Sequence, residues 1–217
     1  MTCAPQLCLA SASPRRRELL AQLGIAHVAA PADIDESQRD GEAPGDYVLR
    51  MALEKAQRIA AEPALSRGLP VLGADTSVVV KGRVLGKPAD AAQSRRMLDL
   101  LGGRTHEVLS AVALVDARGA RSRLSRTEVR FRAITADEAA AYWRCGEPQD
   151  KAGGYAIQGR AAAFVESISG SYSGVVGLPL FEPAQLLEAA GIAPWRDAID
   201  AAAAPSPLPS APLRGTR

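Results

Sequence analysis

The chain has 217 residues, of which 47% are hydrophobic, and a formal net charge of +2. This length and composition predict one substantial hydrophobic core, or one domain with a small subdomain. Nucleic-acid-binding proteins usually have a larger or more clustered basic excess, and no apolar run approaches the roughly 18–20 residues that cross a bilayer. We therefore expect neither a nucleic-acid partner nor a membrane partner.

The three cysteines, Cys3, Cys8 and Cys145, have no metal-type spacing. An odd number of such cysteines favours reduced thiols. The first residues, MTCAPQLCLA, have no basic n-region and no long apolar h-region, so the sequence predicts no signal peptide. Together these features predict a cytoplasmic protein.

The predicted elements alternate between strands and helices, as judged from hydrophobic periodicity and turn residues. In chain order they are a strand at 6–10, a helix at 14–23, a strand at 25–29, a helix at 44–61, a long strand at 69–80 broken by Gly73, a returning strand at 84–88, a helix at 90–101, two strands within 106–132, a helix at 136–144, a Gly-rich loop at 153–159, a strand at 162–170 and a helix at 179–191. This order predicts an α/β fold with a mixed sheet flanked by helices.

The last segment, AAAAPSPLPSAPLRGTR, is rich in Ala, Pro and Ser and cannot bury much apolar surface. We therefore predict one domain over residues 1–200 and a disordered tail over residues 201–217.

The first helix begins in the segment LASASPRRRELL, where Ser13 is a good N-cap and Pro14 suits the first helical position. The unpaired N–H groups at a helix N-terminus can bind an anion. Three arginines follow in the first turn, although a cation there costs about 0.3–1 kcal/mol because of the helix dipole. The loop is therefore a candidate phosphate site.

A helical wheel separates the three arginines. Arg16 lies near the centre of the face that carries the leucines, Arg15 flanks this face, and Arg17 lies well off it. We predict that Arg15 and Arg16 face a crevice and that Arg17 faces water. The alternative is that all three are solvated surface arginines.

Asp75 interrupts the apolar strand GADTSVVV. A carboxylate inside a strand is costly unless it is paired, hydrogen-bonded or bound to a metal. Lys87 follows after the hairpin turn, which can bring it back toward Asp75. The alternative to a catalytic role is a simple Asp–Lys ion pair.

The segment ADIDES carries Asp33, Asp35 and Glu36, and carboxylates of this kind suit a hard divalent cation such as Mg²⁺. A solvated acidic loop is the alternative. Lys55 is a lone lysine on an amphipathic helix, a pattern typical of a surface residue.

The segment DKAGGYAIQGR has glycines that allow close approach of the backbone to a ligand. The amide of Gln158 can donate and accept hydrogen bonds at once, which suits the edge of a nucleobase. Ordinary turns are the alternative. The arginines, lysines and carboxylates together indicate phosphate chemistry with a divalent metal.

Six segments together resemble the Maf family of nucleoside triphosphate pyrophosphatases. They extend from about residue 7 to residue 191 and read LASASPRRRELL, DIDES, LEKA, VLGADTSVV with LGKP, DKAGGYAIQGRAAAFVESISGSY, and VVGLPL. The resemblance implies a mixed α/β fold with a ligand cleft, related to the inosine triphosphate pyrophosphatases. It also implies cleavage of a nucleoside triphosphate into the monophosphate and pyrophosphate, with Mg²⁺ or Mn²⁺ as cofactor.

The resemblance further implies roles for individual residues. Asp75 corresponds to the proton acceptor, and Glu36 joins it as a metal ligand, with Asp35 as a second candidate. The residues implied in phosphate binding are Ser11, Ser13, Arg16, Lys55 and Lys87.

Arg15, Thr76 and Gln158 match the branch of the family that prefers dTTP and UTP. This branch implies removal of non-standard or excess pyrimidine nucleotides, and a homodimer is typical of the family. Two alternatives stay open: the sister branch, which acts on 7-methyl-GTP, and a nucleotide-sensing regulator of septum formation.

Overall fold

The computed structural model describes residues 4–195, and these residues form a mixed sheet with helices on both faces. Cys3, the domain boundary at residue 200 and the predicted tail over 201–217 lie outside the described residues. Within residues 4–195, no helix is long and apolar enough to cross a membrane.

The strands of the described chain are β1 (Leu7–Ala10), β2 (His27–Ala29), β3 (Val71–Val80), β4 (Arg83–Leu85), β5 (Thr105–Asp116), β6 (Gly119–Phe131) and β7 (Val165–Ser169). The helices are α1 (Pro14–Gln22), α2 (Pro44–Ala60), α3 (Pro63–Ser66), α4 (Ala91–Leu101), α5 (Ala136–Arg144), α6 (Tyr172–Val176) and α7 (Phe181–Ala189). Two 3₁₀ turns cover Ala152–Gly154 and Arg160–Phe164.

The strands lie in the order β2-β1-β3-β5-β6-β7, and β4 also pairs with β3. Strand β1 is parallel to β2 and β3, whereas the other pairs are antiparallel. The predicted α/β class with a mixed sheet is therefore correct.

Two local predictions need correction, and two short helices were missed. Strand β3 is continuous through Gly73 and is not broken there. The predicted strand over 162–170 begins with a 3₁₀ turn, so β7 starts only at Val165. The short helices α3 and α6 were not predicted, because segments of four or five residues carry too little periodicity.

One edge of β3 has a gap in its pairing. Strand β1 pairs with β3 only as far as Ala10, which lies opposite Gly73. Strand β4 pairs with β3 only from Val78 onward. Both lie on the same edge, because β5 pairs with the other edge from Val71 to Val79. We call residues 74–77 the open edge of β3.

The core follows the two faces of this sheet. Alternate residues of β1 and β3 pack on opposite sides, as the pleat of a strand requires. Cys8, Ala10 and Val71 pack against α2, whereas Leu9 and Leu72 pack with α1 and α7. A third cluster joins α4 and α5 to β3, β5 and β6, with Phe131 fully buried at its centre.

Gly73 explains how closely α2 lies against β3. A Cβ added at Gly73 would lie 2.1 Å from the carbonyl oxygen of Ala52 and 2.8 Å from the backbone nitrogen of Ala56. Both atoms belong to the backbone of α2, so no side-chain rotation can relieve the contact. The glycine therefore sets the distance between helix and sheet.

We predict that Gly73→Ala lowers the free energy of unfolding by about 3 kcal/mol, because overpacking against backbone forces α2 away from the sheet. Urea denaturation would measure the change. The matched control is Gly86→Ala, whose new Cβ would have no described atom within 4 Å and should alter the free energy by less than about 0.5 kcal/mol. Equal effects of the two substitutions would contradict this account of Gly73.

Candidate active site

A cavity of about 600 Å³ lies at the open edge of β3. The loop after β1, the end of β4 and the Gly-rich loop all contribute to its lining. Because consecutive residues of a strand point to opposite faces, Asp75 faces α2 and Thr76 faces the other side. One break in the sheet therefore exposes both side chains to the same cavity.

Asp75 and Glu36 converge on a single cation, the ammonium of Lys55. Lys55 Nζ donates to Asp75 Oδ1 at 2.8 Å and lies 2.7 Å from Glu36 Oε1. Lys55 and Asp75 are only 7% and 8% exposed. The surface position that the helical pattern alone indicated for Lys55 is therefore wrong. The residue lies on the face of α2 that carries Met51 and Ile59.

The contact with Lys55 lowers the pKa of Glu36. Partial burial alone would raise the pKa, but the hydrogen bond and charge of Lys55, with weaker contributions from Lys87 and Arg16, bring it below the ordinary value of 4.5. Glu36 is therefore an anion at neutral pH.

The loop that carries Glu36 is held by α2. Tyr47 donates its hydroxyl proton to the Glu36 carbonyl oxygen at 2.8 Å, and Arg50 Nη2 donates to the Ser37 carbonyl oxygen at 3.0 Å. Arg50 also binds the Glu42 carboxylate through two nitrogens, at 2.5 and 2.7 Å. These contacts fix Glu36 opposite Asp75.

The other acidic residues of the loop do not join this pair. The Asp35 carboxylate accepts the Ser37 N–H at 2.9 Å in an exposed turn, and neither Asp33 nor Asp35 lines the cavity. Within residues 4–195, no group of three His, Cys, Asp or Glu side chains could hold a metal ion. Glu36 and Asp75 are the two carboxylates in this cavity that share one cation, and they are therefore the candidate ligands of a metal ion.

The two carboxylates fit such an ion. Both already face one positive charge at hydrogen-bond distance, that of Lys55. Mg²⁺ is commonly held by one or two carboxylates, with substrate phosphates and waters completing its octahedron.

The loop after β1 is held in shape by its own serines. Ser13 Oγ accepts the Arg16 N–H at 3.4 Å as N-cap, and Ser11 Oγ accepts the Ser13 N–H at 3.1 Å. Both serines line the cavity, as does Lys87. The cation bonded to Asp75 is Lys55 and not Lys87.

The three arginines separate as the helical wheel predicts. Arg16 Nε donates to the Gly177 carbonyl oxygen at 2.9 Å, and burial lowers the pKa of its guanidinium. Arg15 lines the cavity and lies 3.7 Å from Asp150, whereas Arg17 is exposed.

Thr76 meets Arg16 on the same carbonyl group. Its Oγ1 donates to the Gly177 oxygen at 3.3 Å and lies 3.1 Å from Ser110 Oγ. Ser110 in turn donates to the Gly174 carbonyl oxygen at 2.6 Å. Thr76 therefore ties β3 to the loop around α6.

A second part of the lining is apolar and includes Val78, Val108 and Tyr155. The Tyr155 hydroxyl lies 2.8 Å from Nε2 of His106, which is 3% exposed. Burial lowers the pKa of His106 to about 4, so the imidazole is neutral at pH 7. Gln158 is exposed at the rim of this cavity.

The sequence prediction missed two charged residues of the lining, Asp150 and Lys151. The Lys151 side chain is only 15% exposed. Their position directly before the paired glycines was the available signal, since a charged pair beside a Gly-rich loop suits a phosphate ligand.

Comparison with known proteins gives a consistent result. Residues 6–190 match the sequence model of a family described as Maf-like protein. A "dTTP/UTP pyrophosphatase" of Hahella chejuensis is 50% identical over 192 residues, which cover 88% of this chain and 96% of that protein. One of Bordetella avium is 54% identical over 195 residues, covering 87% and 97%.

Among solved structures, the Staphylococcus aureus Ham1 protein matches with a TM-score of 0.41 and 15% sequence identity. The match covers 58% of this chain and 71% of that chain.

We predict that Lys55→Met raises the pKa of Glu36 more than Lys87→Met does, because Lys55 bonds to the carboxylate directly and Lys87 acts only through its charge. Carbon-detected NMR titration of the side-chain carboxyl groups would measure both shifts. Lys81→Met, in the exposed turn after β3, is the control and should leave the Glu36 titration unchanged. Equal shifts for Lys55 and Lys87 would contradict the direct contact.

Proposed function

The chain belongs to the Maf family, and on this premise we propose that it is a pyrophosphatase that cleaves dTTP and UTP between the α and β phosphates. The observation that supports this most is the convergence of Asp75 and Glu36 on Lys55 within a cavity that Arg16 and Lys87 also line. Carboxylates and cations side by side suit a polyanionic substrate that needs both a base and charge neutralisation.

We propose that Arg16, Lys55 and Lys87 bind the triphosphate, together with Ser11, Ser13 and the N-terminus of α1. Cations in the first turn of a helix are unfavourable until an anion arrives. A bound triphosphate removes this penalty and accepts hydrogen bonds from the same loop.

We infer that Glu36 and Asp75 hold Mg²⁺ or Mn²⁺. Such an ion supplies Lewis-acid polarisation of the phosphate oxygens and neutralises developing charge. Lys55 neutralises part of the charge of the same two carboxylates.

Asp75 would act as the proton acceptor in the reaction. An attacking water transfers one proton to the Asp75 carboxylate while its oxygen bonds to the α phosphorus. The bond from the α phosphorus to the bridging oxygen breaks, and pyrophosphate leaves with that electron pair. Lys55, bonded to Oδ1, orients the carboxylate so that Oδ2 can take the proton.

Gln158 would read the base. Uracil and thymine share an O4 acceptor and an N3–H donor on adjacent atoms, and one side-chain amide can satisfy both. Cytosine reverses this pattern. Arg15 and Thr76 would add to the preference, Arg15 beside Asp150 and Thr76 through the Gly177 carbonyl group.

We further propose that the enzyme removes non-standard or excess pyrimidine triphosphates. The homodimer and the cytoplasmic location stay predictions. Pyrophosphate release from dTTP, UTP, CTP and 7-methyl-GTP, with Mg²⁺ or Mn²⁺, tests the proposed substrate class directly. Turnover of 7-methyl-GTP alone would assign the sister activity, and no turnover of any triphosphate would favour a nucleotide sensor.

We predict that Asp75→Asn lowers kcat for dTTP by about 10²–10⁴-fold, because an amide cannot accept the proton of water. Continuous measurement of pyrophosphate release would show the loss, and thermal unfolding would show that the variant is folded. Asp99→Asn, on the exposed side of α4, is the matched control. A wild-type rate for Asp75→Asn would remove Asp75 from the mechanism.

We predict that Gln158→Ala lowers kcat/KM for dTTP and UTP about 3- to 10-fold, the contribution of one or two neutral hydrogen bonds. The affinity for inorganic pyrophosphate should stay unchanged, as calorimetry can show, since the base is absent from that ligand. Gln185→Ala, on the exposed face of α7, is the control. Equal losses for dTTP and pyrophosphate would contradict base reading by Gln158.

A further inference from the structure

Glu147 lies just after α5, and the proposed mechanism does not use it. Its Oε2 accepts the backbone N–H of Arg160 at 3.0 Å, and its Oε1 accepts that of Ala161 at 3.4 Å. These N–H groups begin the 3₁₀ turn Arg160–Phe164, directly after the Gln158–Gly159 pair. The carboxylate therefore holds the chain on the C-terminal side of Gln158.

Tyr142, on the last turn of α5, extends this contact to the other side of Gln158. Its hydroxyl donates to Glu147 Oε1 at 2.7 Å and accepts the backbone N–H of Ala156 at 3.0 Å. The direction is fixed, because the N–H can only donate and the single hydroxyl proton goes to the carboxylate. Tyr142 is 4% exposed, so this bond lies out of water.

Gly159 fits the same carboxylate. A Cβ added there would lie 2.3 Å from Glu147 Oε2 and 2.4 Å from its Cδ. A side chain at this position would therefore displace the Glu147 carboxylate from its hydrogen bonds.

Glu147 is suited to this role because it stays charged. Burial would raise its pKa, but the hydrogen bonds from the Arg160 N–H, the Tyr142 hydroxyl and the Ala161 N–H bring it below the ordinary value. Hydrogen bonds to a carboxylate are roughly twice as strong as neutral ones. We call the hydrogen-bonded pair Tyr142 and Glu147 the relay. It fixes the backbone of a loop in which Gln158 itself is exposed.

We propose that Tyr142 and Glu147 are positioning residues that set Gln158 for base recognition by fixing the backbone on both sides of it. This inference rests on the proposed function, in which Gln158 reads the pyrimidine. Holding a polar group in its bound geometry lowers the cost of binding, so loss of the relay should weaken base selection and leave phosphate binding intact.

The first test is Tyr142→Phe, which removes the hydroxyl and keeps the ring that packs edge-on against Phe164. We expect the preference for dTTP over CTP, measured as the ratio of kcat/KM, to fall about 3- to 10-fold. The affinity for inorganic pyrophosphate should change less than about 2-fold, because the loss of even one hydrogen bond to pyrophosphate would change it by more than that. Tyr172→Phe, an exposed tyrosine, is the matched control.

A double-mutant cycle separates positioning from general destabilisation. If Tyr142 acts through Gln158, Tyr142→Phe should cost nothing further in a Gln158→Ala background. A purely structural role would lower kcat/KM by the same factor in both backgrounds and would also weaken pyrophosphate binding. That additive result would overturn the inference.

Glu147→Gln is the second variant, in case Tyr142→Phe does not fold. It keeps the shape but places an NH₂ group where an acceptor stood. Hydrogen exchange of the amides of Ala156, Arg160 and Ala161 should become faster, with the same loss of dTTP preference. Glu188→Gln, exposed on α7, is its control, and unchanged exchange with unchanged preference would overturn the inference.

The monophosphate products distinguish this inference from the proposed function. If the wild-type protein turns over no triphosphate, the proposed function fails, and calorimetry with dTMP and CMP replaces the kinetic comparison. If the wild-type protein then binds dTMP more tightly than CMP and Tyr142→Phe abolishes this preference, the inference is supported although the proposed function has failed. The absence of any preference in the wild-type protein, or an unaltered preference in Gln158→Ala, would overturn it.

Discussion

The site depends on one interruption in the pairing of β3. Strand β1 ends opposite Gly73 and β4 begins opposite Val78, so residues 74–77 have a partner on one edge only. The cavity occupies that gap. Since side chains alternate along a strand, Asp75 points toward Lys55 on α2 and Thr76 points toward the loop around α6. Both side chains therefore line one cavity although they leave opposite faces of the strand.

The site also depends on helix α2, because this helix carries the lysine that pairs with the buried carboxylate of Asp75. A buried carboxylate without a partner is costly, and Lys55 removes that cost while also binding Glu36. The same helix holds the Glu36 loop through Tyr47 and Arg50. The close approach at Gly73 thus fixes the positions of both carboxylates together.

The sequence allowed prediction of the long elements and the mixed α/β class, because α2, α4 and the long strands carry clear periodicity. It also separated Arg16 from Arg17, since a helical wheel needs only local geometry. It did not predict the burial or partners of Lys55, because a lone lysine resembles a surface residue until the sheet beneath it is known. The hairpin predicted that Lys87 returns toward Asp75, and both residues line the cavity, although the cation bonded to Asp75 is Lys55. The Tyr142–Glu147 relay joins the end of a helix to a loop, and the hydrophobic periodicity of a sequence cannot predict a contact of this kind.

The open edge of β3 has a consequence for aggregation as well as for chemistry. An unpaired strand edge normally invites a strand from another chain, and proteins protect such edges with charge or by keeping them short. Here the chain before α1 closes one end and β4 closes the other, so an incoming strand would find room for only a few residues. Lys55 and Arg16 border the gap. The same short gap that forms the cavity therefore leaves little unpaired edge for a strand of another chain.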